Sequence, residues 1–245
     1  MSSFKSIAAY YEVLSDSAAR LEREGPLLSG LLRRAPGKRV CDIACGTGLH
    51  AEYLAGLGAD VLALDASAEM IRHAQARRPH KNIHYGAADM RNLPGFEADL
   101  VLCLGNSLNL LATVEEARPV VFEVSKRLAP GGLFCVQVVN NEAESAKKPR
   151  HRVQRTETED GVVVAVKSLV PEGERTLLSL NFFHGWQGVW EEVSETAVLL
   201  HLGLEDLKGA ASNAGLAPWE AYGAYDGAPY EAEKSPDLIL VMIRR

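Results

Sequence analysis

The chain has 245 residues, of which 47% are hydrophobic and 24% are charged, and its formal net charge is -6 at pH 7. This composition is typical of a soluble globular domain with a sizeable core, and the acidic balance disfavours a nucleic-acid partner, which usually binds a basic surface. The sequence has neither a secretory signal nor an apolar run long enough to cross a membrane, so we predict a cytoplasmic protein.

Four cysteines lie in or beside apolar stretches of the sequence. A structural zinc site usually needs two close pairs of cysteines or nearby histidines, and only the first two cysteines are close in sequence. We therefore predict buried free thiols in a reducing compartment and no metal site. The four residues are Cys41, Cys45, Cys103 and Cys135.

The N-terminal region, residues 1–36, is predicted to be helical over 4–34. Tyr11, Leu14 and Ala18 recur at helical spacing until "EGP" breaks the pattern. From residue 38 onwards, short apolar strands alternate with helices, which indicates βαβ units and a parallel sheet covered on both faces. The predicted strands are at 38–44, 59–65, 82–89, 98–105 and 130–140, and the predicted helices are at 49–57, behind the N-cap Ser67, and at 115–128.

The character of the chain changes after Asn141. From about 152 to 200, β-branched residues alternate with polar ones between the turn sequences "EDG", "PEG" and "GWQG", which predicts an antiparallel β meander inserted at 150–202. A helix at 203–215 and two final strands in an antiparallel hairpin follow, with the last strand near the centre of the sheet. The prediction is one α/β domain whose core comprises 37–141 and 203–245.

A glycine-rich turn follows the first predicted strand. Gly46, Gly48 and Ala51 fit the G-x-G-x-x-G/A pattern of a nicotinamide or flavin site, but the same residues also fit a loop that binds S-adenosylmethionine. Asp42 inside the motif, Asp89 after the third strand and the antiparallel end of the chain favour S-adenosylmethionine. A nicotinamide oxidoreductase remains the disfavoured interpretation.

Four ordered motifs carry a family resemblance. "VCDIACGTGLHAEYLA", "ALDAS", "AADMRNLP" and "DLVLCLGNSLNLL" together resemble the class I S-adenosylmethionine-dependent methyltransferases over about 38–140 and 204–245. Ala44 stands where many members have the first glycine of the turn. The resemblance implies a Rossmann-like sheet of seven strands, mostly parallel with an antiparallel last strand, and S-adenosyl-L-methionine as the cofactor.

The same resemblance implies which residues bind the cofactor. The glycine turn should line the methionine part, Asp65 should bind the ribose hydroxyls, Asp89 should accept from the adenine amine, and the segment after strand four should pass beneath the sulfonium. The full set is Ala44, Gly46, Thr47, Gly48, Asp65, Ala66, Met70, Asp89, Met90, Leu104 and Gly105.

The loop after strand four indicates the class of acceptor. Enzymes that methylate nucleobase amines resemble "NPPY" there, whereas "GNSLN" resembles small-molecule N-methyltransferases acting on glycine, sarcosine or amino sugars. An amine nucleophile needs only to be neutral and aimed at the methyl group, whereas a hydroxyl or carboxylate acceptor could need a base or a neutralising cation. We expect transfer to a small-molecule amine. The alternatives are a small-molecule O-methyltransferase and a catalytically silent nucleoside-binding regulatory module.

Asn106 and Tyr11 are the candidate catalytic residues. Asn106 follows strand four, close to where the methyl group should lie, and Tyr11 or its neighbour Tyr10 could face the acceptor from the N-terminal helix. These tyrosines have an alternative role in helix packing.

The inserted meander carries further candidates. His184 lies in "FHGWQG", a predicted hairpin turn, which favours a surface position over a base, and Trp186 and Trp190 are predicted to form the meander's own core. The run 150–152 could attract an anionic substrate, but it is more typical of a solvated charge run. Exposed strand edges of the meander suggest a homodimer.

Overall fold

In the computed structural model, residues 7–159 and 161–245 are described, so positions 4–6 of the predicted first helix lie outside the described residues. The helices are α1 (Ile7–Ser15), α2 (Ser17–Arg34), α3 (Leu49–Gly56), α4 (Ala68–Arg77), α5 (Ala117–Arg127) and α6 (Leu204–Asn213). The strands are β1 (Arg39–Asp42), β2 (Asp60–Asp65), β3 (Ile83–Ala87), β4 (Ala98–Cys103), β5 (Leu128–Val139), β6 (Arg150–Thr158), β7 (Gly161–Glu172), β8 (Arg175–Trp186), β9 (Val189–Leu200), β10 (Leu216–Tyr222) and β11 (Asp237–Arg244).

Seven strands form the main sheet in the order β10-β11-β5-β4-β1-β2-β3. The pairs among β1 to β5 are parallel, and β11 runs antiparallel to both of its neighbours, β5 and β10. The predicted α/β fold with a Rossmann-like sheet and an antiparallel last strand is therefore confirmed. The last strand lies one position from the edge, where β10 covers it, rather than at the centre.

Helices cover both faces of this sheet, which explains why its strands are continuously apolar. Every residue of β4 is buried. On one face, α5 and α6 pack with Val120, Val124 and Leu207 in the core, and on the other face α2 and α3 contribute Leu28 and Leu54. The four cysteines are free and buried, as predicted. No helix in the described ranges is long and apolar enough to span a membrane.

The N-terminal region differs from its prediction. It forms two helices separated at Asp16, which has φ 41° and caps α2 by accepting from the Ala19 N–H at 3.4 Å. The C-terminal end of the predicted helix is confirmed, because α2 continues through Pro26 to Arg34 although its apolar pattern breaks at "EGP". A proline inside a helix costs about 3 kcal/mol, whereas complete burial of a leucine contributes about 1.5–3 kcal/mol. Leu28 and Leu31, both fully buried beyond the proline, are sufficient to offset that cost.

The inserted segment forms a separate four-stranded antiparallel sheet in the order β6-β7-β8-β9, as predicted. Gln187 and Gly188, between β8 and β9, have φ of 48° and 82°, the positive values that a two-residue type I′ turn needs. Asn109 links this sheet to the main one, because its amide donates to the Leu200 carbonyl at 2.8 Å and accepts from the Val139 N–H at 3.1 Å.

Candidate active site at the carboxyl edge of the main sheet

The glycine turn between β1 and α3 leaves open space beside its backbone. Gly46 has φ 54°, and a Cβ placed there would meet no atom within 4 Å. Gly48 has φ 83°, but a Cβ there would lie 2.7 Å from the Tyr85 hydroxyl. The first glycine therefore borders a void, whereas the second is needed for close packing at the start of α3.

Asp65, at the end of β2, fixes the position of this turn. Its Oδ2 accepts from the Gly46 N–H at 2.8 Å and its Oδ1 accepts from the Ser67 N–H at 2.9 Å. Each carboxylate oxygen keeps further lone pairs, so the side chain can still accept from hydroxyl groups of a ligand. Ser67 caps α4 as predicted, since its hydroxyl accepts from the Met70 N–H at 3.2 Å.

Three adjoining cavities form one cleft along the carboxyl edge of the sheet. The central cavity, about 310 Å³, shares Ala44 and Asp65 with a cavity of about 300 Å³ that contains Asp89. It shares Tyr11, Arg20 and Gly105 with a third cavity of about 270 Å³, here called the polar cavity. The predicted residues in the central cavity are Ala44, Gly46, Thr47, Asp65, Ala66, Met70, Leu104 and Gly105.

The remaining predicted residues lie around this centre. Asp89 and Met90 line the second cavity, Asn106 lines the polar cavity, and Tyr11 lies at the junction of the central and polar cavities. Gly48 lies beneath the turn, against Tyr85. The structure thus brings residues that are far apart in sequence to one edge of the sheet.

Asp89 is engaged within the protein. Arg91 holds it with Nη2 at 2.6 Å from Oδ2 and Nε at 3.0 Å from Oδ1, and the backbone N–H of Arg91 also donates to it. These hydrogen bonds lower the pKa of Asp89. The pair is exposed, so its net energy is small, and the carboxylate retains lone pairs for a second donor.

Asp42, at the end of β1, is a buried carboxylate with one free oxygen. Oδ1 accepts from the Ala44 N–H at 3.3 Å, whereas Oδ2 has no hydrogen-bond partner among the described residues. Burial raises the pKa of Asp42 to about 6, although the nearby His50 opposes the shift. An unsatisfied buried anionic oxygen is costly, and a ligand cation would relieve that cost.

A buried cluster around Glu24 was not found from the sequence. Glu24 accepts from Arg20 Nε at 3.0 Å and from Arg23 Nη2 at 2.9 Å, and its Oε2 lies 2.7 Å from His50 Nε2. Burial opposes ionisation, but the hydrogen bond from His50 and the charge of Arg20 lower the pKa of Glu24. The cluster holds the Arg20 guanidinium beside Gly105. The i,i+4 spacing of Arg20 and Glu24 was the available signal.

A hydrogen-bonded chain crosses the floor of the polar cavity. The Gln137 amide donates to Asn106 Oδ1 at 2.8 Å and to Asp237 Oδ1 at 2.7 Å, and its carbonyl accepts from the Asn106 N–H at 3.1 Å. Burial raises the pKa of Asp237. The sequence identified Asn106 but missed Gln137 and Asp237, for which the signal was a polar residue within one apolar strand and at the start of another.

The inserted sheet covers the polar cavity. Arg152 and Lys167 line that cavity, so the prediction that 150–152 is only a solvated run is incomplete, although Arg152 is exposed as expected. Half-buried Tyr11 reaches the cavity from α1, whereas Tyr10 is fully buried and stacks on Phe182 with ring centroids 5.2 Å apart.

Two predictions for the meander are wrong. His184 is buried, 2% exposed, because the alternation of β8 places it on the same face as Phe182, where its ring lies 6.4 Å from that of Tyr10. Trp186 and Trp190 are 43% and 60% exposed, because they lie at the end of the β8–β9 hairpin rather than in its core. None of these three residues lines the cavities described above.

The chain has an α/β fold with a cleft at the carboxyl edge of its main sheet, and comparison with known proteins shows which proteins it resembles. Residues 40–132 match the family model described as a methyltransferase domain. This part of the chain is therefore similar to methyltransferase domains.

Several of the relatives that it resembles are described as N-methyltransferases. The chain is 33% identical over 129 residues to dTDP-3-amino-3,4,6-trideoxy-alpha-D-glucopyranose N,N-dimethyltransferase of Streptomyces venezuelae, covering 52% of this chain and 50% of that protein. It is 33% identical to a glycine/sarcosine N-methyltransferase of Parasynechococcus marenigrum over 51% of this chain and 46% of that protein. The chain therefore spans about half the length of these two relatives. It is 28% identical to the cypemycin N-terminal methyltransferase of a Streptomyces species over 87% of this chain and 86% of that protein.

A solved structure shares the whole fold. The SAM-bound structure of CalS10, an amino pentose methyltransferase from Micromonospora echinaspora, has a TM-score of 0.78 and 23% identity, covering 100% of this chain and 99% of that chain.

The described residues fit S-adenosylmethionine. The space beside Gly46 admits a ligand close to the backbone, and Asp65 retains acceptor capacity for a ribose diol. S-adenosylmethionine has a ribose diol and a methionine part that could occupy these positions.

Proposed function

We propose that this chain transfers a methyl group from S-adenosylmethionine to the nitrogen of a small-molecule amine. The observation that supports the proposal is the junction lined by Tyr11, Arg20 and Gly105, where the central cavity opens into the polar cavity. S-adenosylmethionine supplies an electrophilic methyl group on a sulfonium, and in-line transfer from it depends mainly on positioning and exclusion of water.

For the cofactor, we assign its parts along the cleft. Asp65 accepts from the ribose hydroxyls, and Asp89 and Met90 lie where the adenine would bind. The space for the methionine part is lined by Ala44, Gly46, Thr47 and Gly105. We assign Asp42 as the acceptor for the ammonium group of that part. Arg20 is the nearby cation for its carboxylate. The apolar wall of the central cavity is formed by Leu104, Ala66 and Met70. Gly48 determines the shape of the glycine turn.

The floor of the polar cavity suits an amine. Asn106 and Asp237 present oxygen acceptors to N–H donors, and Gln137 fixes both of them. A raised pKa makes Asp237 a better proton acceptor than an ordinary carboxylate. Tyr11, whose pKa is raised by burial, closes the junction on the α1 side and excludes water. A neutral amine needs no stronger base than these groups offer.

The test follows label transfer from methyl-labelled S-adenosylmethionine to matched amines and hydroxyl compounds. We expect amines to be methylated, and Asn106→Ala to lower kcat/KM about 10- to 100-fold, since it removes a group that orients the acceptor. Affinity for S-adenosylhomocysteine should change less than about threefold. Asn213→Ala, at an exposed asparagine of α6, is the matched control and should leave both quantities unchanged.

Other outcomes would contradict the proposal in distinguishable ways. Preferential labelling of hydroxyl compounds would make the protein an O-methyltransferase. Tight binding of S-adenosylhomocysteine without transfer to any acceptor of the panel would favour a nucleoside-binding regulatory module.

We also propose a homodimer formed through the inserted sheet. Trp186, Val189 and Trp190 are exposed together at the end of the β8–β9 hairpin, and the outer edges of β6 and β9 are unpaired within the described sheet. Exposed apolar groups at a sheet edge favour association.

A further inference from the structure

One row of side chains crosses the inserted sheet toward the cleft. The register pairs Arg152 with Lys167, Lys167 with Leu180, and Leu180 with Glu195, so the four lie side by side on one face. Leu180 packs in the core beneath α1, which identifies this face as the inward one. The row places its two cations at the polar cavity and Glu195 at the central cavity.

No described carboxylate forms an ion pair with either of these two cations. Directly opposed side chains on antiparallel strands are about 4.5–5.5 Å apart at Cβ, and like charges in that arrangement are destabilising. Within the described ranges, neither Arg152 nor Lys167 is in an ion pair, and the hydrogen bond of Arg152 goes to the Gln154 amide oxygen at 3.2 Å. Two further cations of the cavity, Arg20 and Arg23, are bound to Glu24.

Burial adds to the cost of this arrangement. It lowers the pKa of Lys167, and the positive charges of Arg20, Arg152 and Arg150 lower it further, while the opposing effect of Asp237 is smaller. A half-buried ammonium among other cations is expensive to maintain, and a bound anion would remove that cost.

We propose that the polar cavity selects an amine acceptor that also carries an anionic group, a carboxylate or a phosphate, with the anion bound by Arg152 and Lys167 and the amine by Asn106 and Asp237. This assignment rests on the proposed amine methylation. The fork of Arg152 suits two oxygens of either anion, and Lys167 adds a point charge. The inserted sheet then determines the specificity, while the main sheet provides the residues that bind the cofactor and those that accept hydrogen bonds from the amine.

The first experiment measures anion binding without methyl transfer. Inorganic phosphate and acetate are titrated calorimetrically into the protein saturated with S-adenosylhomocysteine. We expect Lys167→Met and Arg152→Gln each to weaken binding of the preferred anion by at least about tenfold, because a hydrogen bond to a charged group is lost. Unchanged binding of S-adenosylhomocysteine shows that both variants are folded.

Arg155→Gln is the matched control. Arg155 lies on the same strand as Arg152 but on the opposite, exposed face, where it pairs with Glu157 at 3.0 Å. The substitution Arg155→Gln removes the same charge without touching the cavity, so the affinity for the anion should change less than about twofold. The inference is overturned if wild type binds neither anion, if Lys167→Met binds as tightly as wild type, or if Arg155→Gln is equally impaired.

The second experiment compares acceptors in pairs. An amino acid is compared with its amide, and an amino sugar phosphate with the unphosphorylated amino sugar. We expect the anionic member of one pair to have a KM at least about tenfold lower, and Lys167→Met to raise KM for that member alone. A lower KM for the amino acid indicates a carboxylate site, and a lower KM for the amino sugar phosphate indicates a phosphate site.

The two proposals can fail separately. If anions bind through Lys167 but no amine is methylated, the anion site stands and the proposed function fails. If amines are methylated with no difference between charged and neutral members, the proposed function stands and the anion site fails.

Discussion

At the scale of single residues, the cleft depends on groups that are poorly satisfied in the protein alone. Asp42 keeps an unpaired buried oxygen, and Gly46 keeps open space where any side chain would extend. Both features lower the stability of the ligand-free protein and favour the complex. Such groups are expected at sites where binding, rather than folding, has selected the residue.

Cofactor binding should depend on pH through Asp42. Because burial raises its pKa to about 6, the carboxylate is ionised above that pH and protonated below it. We expect affinity for S-adenosylhomocysteine to be about tenfold weaker at pH 5 than at pH 7, measured by calorimetry. Asp42→Asn should bind weakly with a flat profile.

The stability of the ligand-free protein gives the control for this prediction. The raised pKa means that folding favours protonated Asp42, so its contribution to stability is present at low pH and is lost as pH rises through about 6. The difference in unfolding free energy between wild type and Asp42→Asn should change with pH in that window. A pH-independent difference, together with equal affinity at both pH values, would remove Asp42 from the site.

The two glycines of the turn provide a matched pair. Gly48→Ala should destabilise the protein by about 1–3 kcal/mol, because it combines a positive φ with a contact of 2.7 Å to the Tyr85 hydroxyl. Gly46→Ala should cost only about 1–2 kcal/mol for its positive φ but should weaken cofactor binding strongly, since its methyl group enters the cavity. Chemical denaturation and calorimetry measure the two effects, and the reverse order would contradict the assignment of the void.

At the scale of elements, α1 closes the cleft and one buried arginine holds it there. Arg78 donates to both carboxylate oxygens of Glu12 on α1, at 2.6 and 2.9 Å, and to the Thr47 carbonyl in the glycine turn at 3.0 Å. Glu52 lies 3.1 Å from its Nε. The arginine therefore connects α1 to the turn that borders the cofactor space.

Breaking this connection should loosen α1. Glu12→Gln leaves the buried Arg78 with half of its anionic partners, at a cost of about 1–3 kcal/mol. We expect faster hydrogen exchange in α1 and about tenfold weaker binding of S-adenosylhomocysteine. Glu22→Gln, at an exposed position of α2, should change neither. Unchanged exchange in Glu12→Gln would show that core packing alone positions α1.

The elements that the sequence predicted correctly are those with local signals. The five parallel strands and the meander follow from apolar runs, alternation and turn residues, and Asp65, Asp89 and Asn106 follow from their positions at strand ends. Gln137 and Asp237 could not be found this way, because they meet only when β11 pairs with β5. The continuity of α2 through its proline and the burial of His184 likewise depend on packing that no local pattern reports.

At the scale of the whole molecule, a seven-stranded α/β core is accompanied by a separate inserted sheet of four strands. The residues proposed to bind the cofactor follow the strands of the main sheet, whereas Arg152 and Lys167 of the polar cavity lie on the insertion. That the entire chain forms one domain, with core 37–141 and 203–245 and insertion 150–202, remains a prediction. Cooperative unfolding of both sheets in a single transition would support it.

The insertion should also determine the oligomeric state. We expect a dimer by light scattering at micromolar concentration and a monomer for Trp190→Glu, since a charge replaces an exposed apolar side chain at the end of the hairpin. Trp219→Glu, at a tryptophan of β10 that is 43% exposed, is the matched control and should remain dimeric. A monomeric wild type would exclude the proposed interface.

The most direct measurement is a crystal structure with S-adenosylhomocysteine bound. We expect the ribose hydroxyls to lie within hydrogen-bond distance of Asp65 and the adenine to point toward Asp89. The sulfur should lie at the junction lined by Tyr11 and Gly105, facing the polar cavity. A ligand whose sulfur points away from Asn106 and Asp237 would contradict the placement of the acceptor, and with it both the amine and the anion assignments.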